Sequence, residues 1–451
     1  MSMFSALSRE QKEAVGLLQI GTFLEYFDLM LYVHLAVLLD ELFFPKTDPH
    51  TAGLISAFAF CSTFVVRPFG ALIFGYIGDH IGRKNTVVIT TTMMAISCVF
   101  MANLPTYAEI GISAAWIVTA CRISQGLSSL GEIMGAEIYV SEITKPPVSY
   151  VAVSFISVAS AIGAMAALGT AVIVTSFHFN WRIAFWVGAL IAIVGSVART
   201  RLRETPEFID MKEKLKKALA DAKSEGLEKH AELLTSMKAL NYEKINKKNS
   251  LAYFMVYCGW PLTFYLAYMY FNPLLKSKFG YSAEDIIFHN FWLSLIQLTN
   301  CIVWSLMSYK IHPLKILKWR GSAALILMLI LPLLMGHLDT SYQMFLVQSL
   351  IMILMLGGVP ADAVFIKHFP VYRRFTTTSF LYALTRAVMY IITSFGLVYL
   401  GDFFGVYGLW VITLPAVLAF LWGVNHFTGL EIKNGSYDYR SQLKQKSKRV
   451  V

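Results

Sequence analysis

The residues best able to do chemistry in this 451-residue chain are charged groups set deep in apolar sequence. Glu25 and Asp28 stand three apart in a long apolar run, so on a helix they share one face. Arg122, Gln125, Ser129 and Glu132 recur at helical spacing in another run and form a polar stripe. Glu137 follows on the same run, about 60° round the helix from Arg122 at roughly 100° per residue. An ionisable group at mid-bilayer costs at least ~2.5 kcal/mol, so it usually faces a cavity and has a job. Burial favours the protonated form of a carboxylate, and a neighbouring Arg favours the ionised form. A carboxylate held between those effects can take and release a proton, which marks Glu25, Asp28 and Glu132 as proton-coupling candidates. The same charges can equally form a static ion pair that locks two helices together. Glu137 either extends the stripe or pairs with Arg67.

Arg386 is the one clear mid-run cation of the second half of the chain. Its planar fork suits bidentate capture of a carboxylate. The alternatives are an internal ion pair with Asp362 or a contact with a tyrosine hydroxyl. Tyr257, Trp260, Tyr265, Tyr268 and Asn272 share a further run, where aromatic faces either cradle a quaternary ammonium or serve as packing anchors. Tyr26, Arg122, Gln125, Tyr257, Trp260, Tyr265 and Arg386 are therefore the candidate substrate contacts.

The elements that must position these groups follow from composition. Hydrophobic residues make up 56% of the chain and charged residues only 15%, against roughly 25% charged in a soluble domain. Runs of ~20 apolar residues span a ~30 Å hydrocarbon core, and in lipid such runs must be helical. Twelve spans are expected, near 15–42, 51–77, 86–103, 109–140, 149–175 and 182–200, then 250–275, 286–309, 321–336, 342–366, 377–400 and 405–427. This divides the chain into a six-helix bundle (1–200), a charged linker (201–249), a second six-helix bundle (250–427) and a basic tail (428–451). In the linker, Phe208, Met211, Leu215 and Leu219 have near-helical spacing after Pro206. That predicts an amphipathic helix on the membrane face, or a regulatory partner site. The first apolar run is too long, and too acidic, for a cleaved signal.

Orientation follows from the basic residues. Of 38 Lys and Arg, only Lys46, Arg182, Lys276 and Lys278 fall on the side opposite the termini, and Arg67, Arg122 and Arg386 lie within spans. The rest, including four in the loop at 308–320, lie on the side of both termini, which is therefore cytoplasmic. The net charge of +10 is explained by loop residues near lipid headgroups, not by nucleic acid. The five cysteines fall in spans, so no structural disulfide is expected. No P-loop, dinucleotide turn or metal-ligand spacing occurs, so neither an enzyme nor a cofactor is expected.

The most specific local signal is Gly75-Tyr-Ile-Gly78-Asp79-His80-Ile-Gly82-Arg83-Lys84, in the short loop after the second span. Its glycines permit a tight turn and close helix approach. Asp79 can accept from a helix N-terminus, and Arg83 can pair with an acid, for which Glu142 is a reasonable partner. The pattern resembles the signature loop of the major facilitator superfamily. Glu25-Tyr26-Phe-Asp28, Arg67-Pro-Phe-Gly70, Gln125-Gly-Leu-Ser-Ser-Leu-Gly-Glu132, Trp181-Arg-Ile-Ala-Phe185 and Glu204-Thr-Pro-Glu207-Phe208 resemble its metabolite:proton symporter branch, which includes proline/betaine transporters. Phe369-Pro370 followed by Arg374 is similar to the loop before span eleven in that branch. Departures are Leu130 where Gly is usual, and charge at Glu137 and Arg386.

The resemblance implies an all-α membrane protein, two six-helix bundles around a central cavity, in a bacterial inner membrane. It implies proton-coupled import of a small amino acid, betaine or similar zwitterion by alternating access, with the signature loop and Glu142 gating. Protons, a small substrate and the bilayer are the expected partners, and a monomer is expected. Carriers of small organic acids, and a transport-inactive sensor signalling through the linker or tail, are the alternatives.

Overall fold

The computed structural model describes residues 8–45, 58, 61–80, 83–128, 130–177, 179–199 and 245–437. The proposed amphipathic helix of the linker and the basic tail beyond 437 lie outside them. The described chain is helical throughout. In the first half the spans are Arg9–Phe43, Arg67–His80 (its apolar stretch beginning at Cys61), Arg83–Asn103, the pair Ile112–Ser128 and Leu130–Ile143, Val148–Ser176 and Arg182–Arg199. The second half holds a composite seventh span from Lys247 to Phe279, then Ala283–Met307, Pro313–Met335, a broken tenth span, Val371–Phe404 and Gly408–Lys433. Among the described residues, six helices are individually long and apolar enough to cross a membrane. The outward faces of the helices carry large apolar side chains, such as Phe69, Trp116, Leu190, Ile326 and Leu418, where a soluble protein would carry charge.

Within the first half, span one packs on span five and span three on span six. Close approach depends on small residues. A Cβ on Gly126 would meet the Thr63 carbonyl of span two, and one on Gly163 the Phe23 carbonyl of span one. Span twelve packs on spans seven and nine. The halves meet where span two lies on span eleven and span five on span eight.

Helix starts follow local chemistry. Ser282 and Asp285 form a capping box before span eight, and Thr340 and Gln343 form another before span ten. His312 caps span nine and Pro313 takes its first position. Span nine therefore begins eight residues earlier than the hydropathy reading, which started it at 321. Arg320 consequently belongs to the helix, not to the loop, and is buried.

Spans seven and ten are irregular. Span seven passes through Lys247–Tyr257, Gly259–Phe264, a π-helical turn Tyr265–Tyr270, and Phe271–Phe279. The side-chain amide of Gln348 donates to the Ala267 carbonyl within that turn, at 2.8 Å. Span ten, expected as one helix, is Ser341–Ile353 and then Asp362–Lys367, with non-helical backbone between. Gly357, Gly358 and Pro360 explain the break: glycine weakens a helix and proline lacks the donor.

Candidate functional site

The break in span ten frees carbonyl groups that lipid cannot satisfy. Two neighbouring spans supply the donors. Asn300 of span eight donates to the Met352 and Ile353 carbonyls, each at 3.0 Å. Arg320 of span nine donates to the Val359 carbonyl at 2.6 Å and also to that of Met355. Such capped, irregular backbone is tolerated at membrane depth where it lines a cavity, as it does here.

That cavity has a volume of about 110 Å³ and lies between the two halves. At ~10–15 Å³ per water it has room for several waters, the scale of a small metabolite. Tyr26, Met30 and His34 of span one, Glu137 of span four and Ser157 of span five line it from the first half. Tyr257, Trp260, Gln297, Arg320, Asp362 and Arg386 line it from the second.

Arg386 is 4% exposed. Its guanidinium lies 3.4 Å from the Tyr382 ring centroid and 4.9 Å from that of Trp260. Its Nη1 donates to the Tyr382 carbonyl at 3.3 Å. Among the described residues no carboxylate lies at ion-pair distance from it, Asp362 included. Where the sequence suggests a tyrosine hydroxyl, the guanidinium instead meets the ring face and the carbonyl of Tyr382. Across the cavity, Glu137 accepts from Ser157 at 3.3 Å, and Asp362 accepts from the Tyr257 hydroxyl. Glu137 makes no ion pair with Arg67, whose guanidinium instead lies 4.4 Å from the Phe64 ring. The hydroxyls of Tyr26 and Tyr382, from opposite halves, are 3.3 Å apart. Trp260 stacks on Phe264 with centroids 5.0 Å apart, and Tyr257 on Tyr253 at 4.2 Å.

Of the candidate substrate contacts, Tyr26, Tyr257, Trp260 and Arg386 share this cavity. Tyr265 is turned toward Ser394 of span eleven. Arg122 and Gln125 lie inside the first bundle instead. Arg122 Nη1 donates to Gln125 Oε1 at 3.2 Å, and its guanidinium sits 4.0 Å from the Tyr32 ring centroid. Gln125 Nε2 reaches Cys98 Sγ at 3.9 Å, and Asp28 lies beside Cys98. Glu25 and Asp28 both face a small separate cleft with Thr90, Thr91 and Ser128, not the central cavity. A Cβ on Gly188 of span six would contact Asp28, so that acid is enclosed by its own bundle. Arg122, Gln125 and Asp28 thus lie together inside the bundle and do not line the central cavity. The side chain of Glu132 lies outside the described residues, as do Gly82 and the side chains of Asp79, Arg83 and Lys84, while Gly78 falls in helix Arg67–His80.

At the face where helix Arg9–Phe43 begins and helix Gly408–Lys433 ends, the halves meet closely. Glu142, at the end of span four, pairs with Arg374 at the start of span eleven, at 3.0 Å. Phe375 packs against Gly135, and Thr376 against Gly75. Ser154 of span five donates to the Pro360 carbonyl at 3.4 Å. Glu137, Asp362 and Arg320 are cavity groups that the sequence reading left out of the candidate set. From sequence, Glu137 is a possible extension of the stripe or a partner of Arg67, Asp362 a possible partner of Arg386, and Arg320 a loop charge.

Comparison with known proteins agrees with this architecture. The sugar (and other) transporter family model matches residues 17–424. A putative metabolite transport protein of Haemophilus influenzae is 30% identical over 421 residues, 89% of this chain and 92% of that protein. An inner membrane metabolite transport protein of Escherichia coli is 36% identical over 212 residues, and a proline/betaine transporter of Salmonella typhimurium is 31% identical over 222. These last two matches span less than half of either relative, 47% and 44%. The proton:xylose symporter structure superposes with a TM-score of 0.72 at 16% identity, covering 91% of this chain and 94% of that one. At that identity the likeness speaks for the fold alone. With a family match across nearly the whole chain, this protein belongs to the sugar (and other) transporter family, and its two helical halves around a cavity share the fold of the major facilitator symporter structure.

Proposed function

We propose that this transporter imports a small zwitterion carrying a carboxylate, driven by protons, across a bacterial inner membrane with both termini in the cytoplasm. The observation that carries this is Arg386, a buried guanidinium that lines the cavity, lies against two aromatic rings and has no carboxylate partner among the described residues. A substrate carboxylate matches its fork, and desolvation strengthens the pair. Glu137 and Asp362 across the cavity, with the faces of Trp260 and Tyr257, suit the cationic end of the same molecule. Both signs of charge in one small cavity favour a zwitterion over a simple organic acid.

Several relatives are, by name, transporters of such zwitterions. They include the proline/betaine transporters and a glycine betaine/proline/ectoine/pipecolic acid transporter of Dickeya dadantii, 30% identical over 211 residues. Proton coupling is assigned to Glu25 and Asp28, enclosed beside the Arg122–Gln125 chain in the first bundle.

The test is uptake of labelled L-proline and glycine betaine by the purified protein in liposomes under an imposed pH gradient. Gradient-dependent accumulation of at least one is expected. Accumulation of lactate or succinate, with neither zwitterion moved, would overturn the assignment.

A further inference from the structure

The central cavity holds two acids, Glu137 and Asp362, that the assignment of proton coupling to Glu25 and Asp28 does not use. Glu137 is 2% exposed and Asp362 is 3% exposed. They come from opposite halves of the molecule, and the helix Leu130–Ile143 packs directly on Asp362–Lys367. Each acid is half satisfied. Ser157 serves one oxygen of Glu137, and Tyr257 serves one oxygen of Asp362. The other oxygen of each, Oε2 of Glu137 and Oδ2 of Asp362, is buried with no hydrogen-bond donor among the described residues. Two buried carboxylate oxygens without donors are costly as a pair of anions and inexpensive if a cation joins them.

The geometry points to Glu137 and Asp362 as a second proton site, one that carries a single proton between the two halves when the basic face is closed. The inference rests on the transporter reading above but not on the identity of the substrate. It differs from the first-bundle site in what it senses. Glu25 and Asp28 travel together in one half, whereas Glu137 and Asp362 part when the halves rock open. The groups facing the pair are Ser157 from span five, Tyr253 and Tyr257 from span seven, Cys301 from span eight, Arg320 from span nine, and Tyr382 and Arg386 from span eleven. Arg320 is occupied by the carbonyls of span ten, and Arg386 by its rings. Neither guanidinium neutralises the pair directly.

The step balances simply. With one proton the pair is a carboxyl and a carboxylate, with a net charge of −1. Opening the basic face separates them, water solvates both, and the proton leaves as H⁺ to that side, giving two carboxylates. With the face closed, losing the proton leaves two facing anions in a dry site, and their repulsion favours opening. Low pH therefore favours the closed basic face, and high pH the open one.

The test reads the distance between spin labels at exposed Lys145 and Lys367, one on each half near this contact, in the full-length Lys145→Cys, Lys367→Cys protein. Cys301, the least buried native thiol, is replaced by Ser throughout. The parent should show one short population at pH 5.5 and a second, longer one at pH 8.5. Glu137→Gln and Asp362→Asn each prevent the doubly charged pair, so each should stay short at both pH values. The two variants test the claim independently, should one of them fold poorly. An unchanged parent distribution between the two pH values would overturn the inference, as would a full pH response in a well-folded variant. Should the distances respond as expected while neither zwitterion is transported, the proton site stands and the substrate assignment falls.

Discussion

The polar cleft of the first bundle and the cavity between the bundles use the same residue types differently. In the cleft, Cys98, Gln125 and Arg122 are joined by hydrogen bonds within one helical unit, with Asp28 beside Cys98. In the cavity, Glu137 comes from one unit, Asp362 and Arg386 from the other, and Arg386 is met by aromatic rings. A network within one rigid unit can store a proton or hold helices in register. Groups that straddle the interface, or that lack an internal counter-ion, are the ones whose state changes when the halves rock or a substrate enters.

Neutralising the cleft should have the largest effect. Glu25→Gln and Asp28→Asn are expected to abolish gradient-driven accumulation in liposomes, with exchange of substrate across the membrane retained by at least one. Continued accumulation by both under an imposed pH gradient would reduce the cleft to a static structural lock.

Arg386→Lys comes next, and it probes the cavity side of the contrast. Lysine keeps the charge and loses the fork, so part of a charge-assisted interaction worth about 1.5–3 kcal/mol is lost. Substrate affinity measured by calorimetry should fall roughly tenfold, and Arg386→Ala should fall further. Unchanged affinity would place the carboxylate elsewhere.

Glu142→Gln tests the closure that makes the cavity one-sided. Glu142 meets Arg374 across the halves with little solvent access, so removing its charge weakens one conformation and not the fold. The longer population between labels at positions 145 and 367 should grow several-fold at constant pH. An unaltered distribution, with the protein intact, would show that the pair is not a latch.

The smallest effect is expected at the signature loop. Asp79→Asn should slow turnover several-fold with little change in equilibrium affinity. A large loss of binding in a direct titration would remove its gating role.

Much of the fold was legible because lipid allows so few solutions. Long apolar runs and basic loops were enough to predict the two-bundle plan. The cavity was less legible. Hydropathy placed Arg320 in a loop because Lys310, Lys315 and Lys318 surround it. Its burial became evident only with the broken tenth span whose carbonyls it caps. That break had a signal, Gly357-Gly358-Val359-Pro360, hidden inside an otherwise apolar run. Depth along a helix also does not tell which way a residue faces. Glu25 and Tyr26 are adjacent, yet Tyr26 lines the cavity while Glu25 lines the cleft. Glu137 could not be separated from a pairing with Arg67 until the packing of Phe64 against Arg67 was known.

The central claim, that Arg386 receives a carboxylate of the substrate, is tested most directly by competition against uptake of a transported zwitterion. The competitors are that zwitterion itself and its neutral-headed amide or alcohol analogue, matched in size. The account predicts that the carboxylate compound competes at least tenfold better in the parent protein, and that Arg386→Ala narrows the gap. Equal competition by the analogue in the parent protein would contradict it.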